Sequence, residues 1–122
     1  MKNILIIDDE QRIQDVYTEL LTKEGFNAIP ALSAVEANEI LKRDKIDLVL
    51  LDIKMSRIDG ETADGTVMYG VMQLFHKNVK VIVSSVYPIY EQKWLIPDAE
   101  DYYDKGQGTD MLLKKINTVL QN

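Results

Sequence analysis

Residues 48–51, Leu-Val-Leu-Leu, are four consecutive aliphatics set between Asp47 and Asp52. A short run that is apolar at every position suits a strand buried on both faces, and such strands belong to parallel sheets covered by helices. A second run, Lys2 to Ile7 and aliphatic from Ile4, also stops on acid, at Asp8 and Asp9. A carboxylate directly after a buried strand sits at the rim of the sheet, where open α/β folds bind ligands. The two runs thus constrain both the fold class and the place where chemistry can occur.

The rest of the chain alternates in the same sense. From Gln11 to Glu24 the apolar residues Ile13, Val16, Leu20 and Leu21 fall at helical spacing, and Gly25 follows where a left-handed cap would sit. Phe26 to Ala31 reads as a second strand. Ser33-Ala34-Val35-Glu36 has the form of a capping box, opening a second helix to about Arg43 with Ala37, Ile40 and Leu41 inward. Ile46 to Leu51 is the third strand. Met68, Val71, Met72 and Phe75 form an i, i+3, i+4, i+7 stripe for a third helix, whose interior Gly70 costs about 1 kcal/mol against alanine. Val79 to Val83 is a fourth strand closing on Ser84 and Ser85. Pro88 suits the first turn of a short fourth helix that Pro97 closes. Ala99 to Tyr103 is a fifth strand, followed by Asp104-Lys105-Gly106, and Met111 to Gln121 is a fifth helix with Leu112, Ile116, Val119 and Leu120 on one face.

Five strand-then-helix units in strict alternation predict an α/β fold: one parallel sheet with helices on both sides. The usual doubly wound order for five strands is 2-1-3-4-5, with its switch point between strands one and three. That order gathers Asp8, Asp9 and Asp52 around one crevice. A chain of 122 residues suits a single domain spanning 1–122. The absence of cysteine excludes disulfides and thiolate metal sites. A net charge of −6 lacks the basic footprint of direct nucleic-acid binding or of anionic membranes. The expectation is a cytoplasmic protein.

Three carboxylates in one crevice repel one another by roughly 1–4 kcal/mol per pair at about 4 Å. Only oxygen ligands are on offer, since the single histidine, His76, lies at the far end of the third helix. An all-oxygen set favours a hard cation, and Mg²⁺, which keeps waters and takes one or two carboxylates plus phosphate oxygen, is the natural choice. Ser85 and Lys105, just past strands four and five, add a hydroxyl and an ammonium. A cation, a lysine and a hydroxyl around one carboxylate is what phosphoryl transfer to that carboxylate requires.

These residues give the chain its likeness to a family. The segments Ile4-Leu5-Ile6-Ile7-Asp8-Asp9-Glu10, Asp47 to Met55 with Asp59-Gly60 beyond, the hydroxyl after strand four, and Asp101-Tyr102-Tyr103-Asp104-Lys105 resemble the receiver domains of two-component response regulators. The resemblance implies a flavodoxin-like fold and a signalling switch. In that reading Asp52 is the phosphoacceptor, and Mg²⁺ is held by Asp8, Asp9, Asp52 and the backbone carbonyl of Lys54. Lys105 binds the phosphate, Ser85 is the switch hydroxyl and Tyr102 the aromatic rotor. Strand register favours Ser85 over Ser84. Lys54 and Tyr87 are expected to flank the path of a hydrolytic water and so to set phosphate lifetime.

The expected partners are a sensor histidine kinase or histidine phosphotransfer protein. Downstream stands a protein or fused output domain on the face of helix four, strand five and helix five, with room for a phosphorylation-dependent homodimer. Tyr87, Tyr90 and Trp94 are either a partner surface or the packed side of helix four. No enzymatic activity is expected beyond self-phosphorylation from a phosphohistidine donor and autodephosphorylation. Two departures from the family pattern stand out, Ser56 and Gly106, both where prolines usually lie; the second predicts a less rigid seat for Lys105. The loop after Asp52 is also enlarged, by residues 61–65. The alternative reading is a degenerate receiver that acts as a phosphate-independent binding or dimerisation module. A flavin carrier is disfavoured, because Asp8-Asp9-Glu10 would repel its phosphate.

Overall fold

The computed structural model describes residues 1–55 and 65–121. Ser56, Asp59-Gly60, most of the enlarged loop and Asn122 lie outside the described residues. The elements are β1 (Asn3–Ile7), α1 (Gln11–Lys23), β2 (Asn27–Ala31), α2 (Ala34–Arg43), β3 (Leu48–Leu51), α3 (Gly65–Phe75), β4 (Lys80–Ser85), α4 (Ile89–Leu95), β5 (Asp101–Asp104) and α5 (Thr109–Gln121), with one 3₁₀ turn at Lys105–Gln107. All strand pairs are parallel, in the order β2-β1-β3-β4-β5.

The central strands β1, β3 and β4 bury alternate residues on opposite faces, which gives two cores. Leu5, Ile7, Val49, Leu51, Val81 and Val83 pack against Ala37, Ile40 and Leu41 of α2 and Met68 and Met72 of α3. Ile4, Ile6, Leu48, Leu50 and Ile82 face Tyr17 and Leu21 of α1 and Leu112, Ile116 and Val119 of α5. Register positions the site. Ile7 pairs with Leu51 and Leu51 with Val83, so β1 and β3 end level and Asp8 and Asp52 leave the sheet side by side.

Local chemistry sets the ends. Gly25 has φ +86°, and its N–H donates to the Thr22 carbonyl, closing α1 in the left-handed region that glycine adopts freely. Ser33 Oγ accepts from the Glu36 N–H at 3.1 Å, the Ser half of the expected box. Pro30 lies on the edge strand β2, where a missing donor costs least. Pro88 does not enter α4 but caps it: its backbone is extended, and its carbonyl accepts from Glu91 and Gln92.

Two core expectations fail. Val16 is 46% exposed and Phe75 74% exposed. The inward line of α1 runs instead through Gln14, Tyr17 and Leu21, so two residues with polar ends take places that hydrophobicity assigned to Val16. Phe75 is the last residue of α3, past the Met68–Met72 contact with the sheet, and lines an open cavity with His76 and Lys77. On α4, Tyr90 and Trp94 are 78% and 84% exposed, so neither belongs to its packed side. Among the described residues no helix is long and apolar enough to cross a membrane.

Candidate functional site

The carboxyl ends of β1, β3 and β5 bring four charged side chains together. Carboxylate oxygens of Asp8, Asp9 and Asp52 lie within 4.8 Å of one another, with Asp8 and Asp52 buried and Asp9 half-buried. Lys105 reaches in from the end of β5. Its ammonium donates to Asp8 Oδ2 at 2.6 Å and stands 3.6 Å from Asp52 Oδ2, with 12% of the side chain exposed. Asp9, Asp52 and Lys105 border a cleft of about 310 Å³ lined also by Glu10, Lys54, Met55 and Val86.

Burial dominates the electrostatics. It pushes the Asp52 carboxyl up to about 7; the Lys105 ammonium lowers it in part, the charge on Asp8 raises it, and the Lys54 main chain lowers it. Burial disfavours the Lys105 charge too, but its hydrogen bond to Asp8 and the charge on Asp52 outweigh this and hold the amine above its ordinary value. Four acids, Asp8, Asp9, Glu10 and Asp52, against the two lysines Lys54 and Lys105 leave the cleft acidic. Clustered hard oxygen donors with uncompensated negative charge fit a Mg²⁺ ion, which needs few protein ligands.

The two serines closing β4 point to opposite faces. Ser84 follows Ile82 onto the α1 side, where its Oγ and the Tyr17 hydroxyl lie 3.3 Å apart, both buried. Ser85 is fully buried, and its Oγ accepts from the Tyr87 N–H at 3.3 Å. Tyr102 is buried beneath α4: its hydroxyl donates to the Ile96 carbonyl and accepts from the Ala99 N–H at 3.2 Å, while the Lys93 ammonium sits 5.8 Å from its ring centroid. Lys54 lies on the cleft wall. Tyr87 is half-buried and packs on the α2/α3 core, and the residue of its loop that lines the cleft is Val86.

Gly106 has a use that proline could not serve. Its N–H donates to Asp104 Oδ1 at 2.8 Å, while the Asp104 N–H donates to Gln107 Oε1 at 3.2 Å. This reciprocal capping box winds the 3₁₀ turn that starts at Lys105, and among the described residues there is no cis peptide bond. The seat of Lys105 is therefore held by side-chain caps and by its two carboxylate neighbours. No such box was expected from the sequence, although the pattern Asp104-x-x-Gln107 is a signal that could have announced it. Buried Gln14, Tyr17 and Gln92 carried no comparable signal, since polar residues on helices usually face solvent.

The whole arrangement has relatives. Residues 4–117 match the response regulator receiver domain family. Sporulation initiation phosphotransferase F of Bacillus subtilis is 31% identical over 70% of this chain and 65% of its own length. Transcriptional regulatory protein GlrR of Escherichia coli is 32% identical over 80% of this chain but only 19% of its own. The chain thus spans less than two thirds of either relative. Among solved structures, response regulator protein TrrA of Thermotoga maritima in complex with Mg²⁺-BeF superposes with a TM-score of 0.82 at 30% identity, covering 97% of this chain and 98% of that one. A CheY-like receiver domain protein of Methanospirillum hungatei gives 0.87 at 27% identity, covering 99% and 94%. The match across nearly the whole chain, on a sheet of the same order, makes this protein a member of the response regulator receiver domain family of two-component signalling.

Proposed function

We propose that Asp52 accepts a phosphoryl group from a phosphohistidine of a sensor kinase or phosphotransfer protein, and that the aspartyl phosphate alters which partner the domain engages. The observation that carries this reading is the buried Asp52 carboxylate, set between two further acids and a lysine 3.6 Å away. An Asp52 oxygen attacks phosphorus, the P–N bond to the imidazole breaks, and the imidazole nitrogen takes its electron pair. Asp8, Asp9, Asp52 and the Lys54 carbonyl would hold Mg²⁺, which when bound supplies positive charge to the phosphoryl oxygens and to the crowded acids.

The remaining side chains act around that step. Lys105 is already aimed at Asp52, so a phosphoryl oxygen there would draw its ammonium away from Asp8. Ser85 would turn its hydroxyl from the Tyr87 N–H to the phosphoryl group, and Tyr102, packed between β5 and α4, would respond to the space so vacated. Lys54, on the cleft wall, would shield the acyl phosphate from water, and Tyr87 would add to that shield through the loop whose Val86 lines the cleft. The chemistry ends with hydrolysis of the same aspartyl phosphate. The exposed Tyr90 and Trp94 support an output face on α4, β5 and α5. The name of the Bacillus relative, a phosphotransferase, supports a place in phosphoryl transfer.

The test is incubation with Mg²⁺ and acetyl phosphate followed by intact-mass measurement. One added phosphoryl mass, absent in Asp52→Asn and without added Mg²⁺, is expected. No added mass in the wild type, or an equal gain in Asp52→Asn, overturns the assignment and favours a phosphate-independent module.

A further inference from the structure

Two buried glutamines, one on each flank of the site, hold the strand ends by the same device. Gln14 of α1 is 1% exposed, and its Nε2 donates to the carbonyls of Ile6 at 2.8 Å, Ala31 at 2.9 Å and Asp8 at 3.1 Å. Gln92 of α4 is fully buried, and its Nε2 donates to the carbonyls of Tyr87 at 2.7 Å, Tyr103 at 3.0 Å and Ser85 at 3.4 Å. In each case three acceptors converge on one nitrogen, which fixes the amide orientation, because the oxygen in that place would face three carbonyl oxygens. The Oε1 of each accepts no hydrogen bond among the described residues. A buried acceptor left unsatisfied is costly, so these side chains are held by what their NH₂ groups bind.

The acceptors of Gln92 are the strand ends that carry the phosphate-reading groups. Ser85 is the end of β4, Tyr87 belongs to the loop that leads into α4, and Tyr103 lies two residues before Lys105. Resting on the reading that Asp52 is phosphorylated, we infer that Gln92 is the positioning residue that ties the Ser85 and Lys105 strand ends to α4. An amide has two protons, so three carbonyls share them, and the longest contact, to Ser85, is the one that yields most readily. A shift of Ser85 toward a phosphoryl group lengthens that contact and redistributes the two protons onto Tyr87 and Tyr103. The side chain, and the α4 turn that bears it, then moves with the loop. Gln14 does the equivalent for Asp8 and the acid side of the cleft, its hydrogen bonds going to β1, to the residue that follows it and to the end of β2.

The pair provides its own control. Methionine keeps the length of glutamine and removes the donors. In Gln92→Met, Mg²⁺ affinity stays within about twofold of wild type, because the carboxylates lie on β1 and β3. The change in α4 amide hydrogen exchange that follows phosphorylation by acetyl phosphate with Mg²⁺ shrinks at least fivefold. In Gln14→Met the order reverses: Mg²⁺ affinity falls at least fivefold while the α4 response of the phosphorylated fraction persists. An α4 response in Gln92→Met equal to wild type overturns the inference, as does equal loss in both variants. Should Gln92→Met not fold, the wild-type side-chain NH₂ resonances of Gln92 decide the matter. They are protected from solvent exchange at least tenfold over a free glutamine and shift on phosphorylation; free exchange or no shift overturns the inference. If the wild type takes no phosphoryl group, the phosphorylation reading itself has failed. The tie is then judged in the free protein, where Gln92→Met speeds α4 exchange at least tenfold, and an unchanged rate overturns it.

Discussion

Gly65 lies so close to the main chain of Asp52 that a β-carbon there would be 2.2 Å from the Asp52 carbonyl oxygen. The Gly65 N–H also donates to the Ile53 carbonyl at 2.8 Å, so the first turn of α3 and the exit of β3 are seated on each other. Nothing in this contact can rotate away, because the clash is with backbone. Gly65→Ala is therefore expected to destabilise the protein by about 1–3 kcal/mol and to slow phosphorylation of Asp52 by up to about a hundredfold through its displacement. Gly70, in the same helix, has no atom within 4 Å of its would-be β-carbon. Gly70→Ala should stabilise by about 0.5–1 kcal/mol. Urea denaturation midpoints of the two variants should move in opposite directions.

The buried Asp52 makes stability depend on pH in a defined sense. Its carboxyl is raised to about 7 in the native protein, against about 3.9 for an unperturbed aspartate. Between these values the native state keeps a proton that the unfolded chain has lost. The contribution is therefore whole below about pH 4 and lost as pH rises through about 7. Asp52→Asn removes it: without divalent cation the variant should match wild type near pH 4 and be roughly 1–3 kcal/mol more stable at pH 8. Urea melts at both pH values in chelator check this, and a ranking that does not change with pH would sink it. Mg²⁺ at about thirty times its dissociation constant should add about 2 kcal/mol to wild type.

Ser84 and Ser85 are adjacent and should differ in effect. Ser84→Ala leaves the Tyr17 hydroxyl buried without its 3.3 Å neighbour, which should cost about 1–3 kcal/mol of stability while the response of α4 to phosphorylation survives. Ser85→Ala should fold with near-normal stability, take the phosphoryl group more slowly, and lose most of the response. Thermal melts together with α4 hydrogen exchange separate the two. The opposite assignment would move the switch hydroxyl to Ser84.

Gly106→Pro, the change that would restore the family's usual residue, should not stabilise this chain. It deletes the N–H that Asp104 Oδ1 accepts at 2.8 Å and so opens the capping box. A loss of about 0.5–2 kcal/mol is expected, with a lower phosphorylation rate as Lys105 loses its seat. A variant with a raised melting temperature would show that the box contributes nothing.

The fold was legible because the strands announce themselves: apolar runs bounded by Asp8-Asp9, Asp52 and Lys105 fix both the layers and the rim where the charges meet. Helix faces were less legible. In α1 the inward line passes through Gln14 and Tyr17, whose Nε2 and hydroxyl find their partners on the strands and strand ends, and no spacing rule within the helix contains that information. Gln92 was hidden for the same reason, since its three acceptors come together only when β4 and β5 lie side by side. The glycine beside Asp52 shows a different gap. Its likeness to the family pointed to Asp59-Gly60, outside the described residues, whereas the contact that tolerates no side chain is made by Gly65.

Trp94 is the only tryptophan in the chain, and it stands almost bare on α4. The protein thus has a built-in optical label at one end of one helix. A partner that covers α4 should blue-shift the indole emission and shield it from a soluble quencher. A partner that docks on α1 or on α2 should leave both unchanged. Complexes of this domain can accordingly be sorted by face in a cuvette, without any added dye.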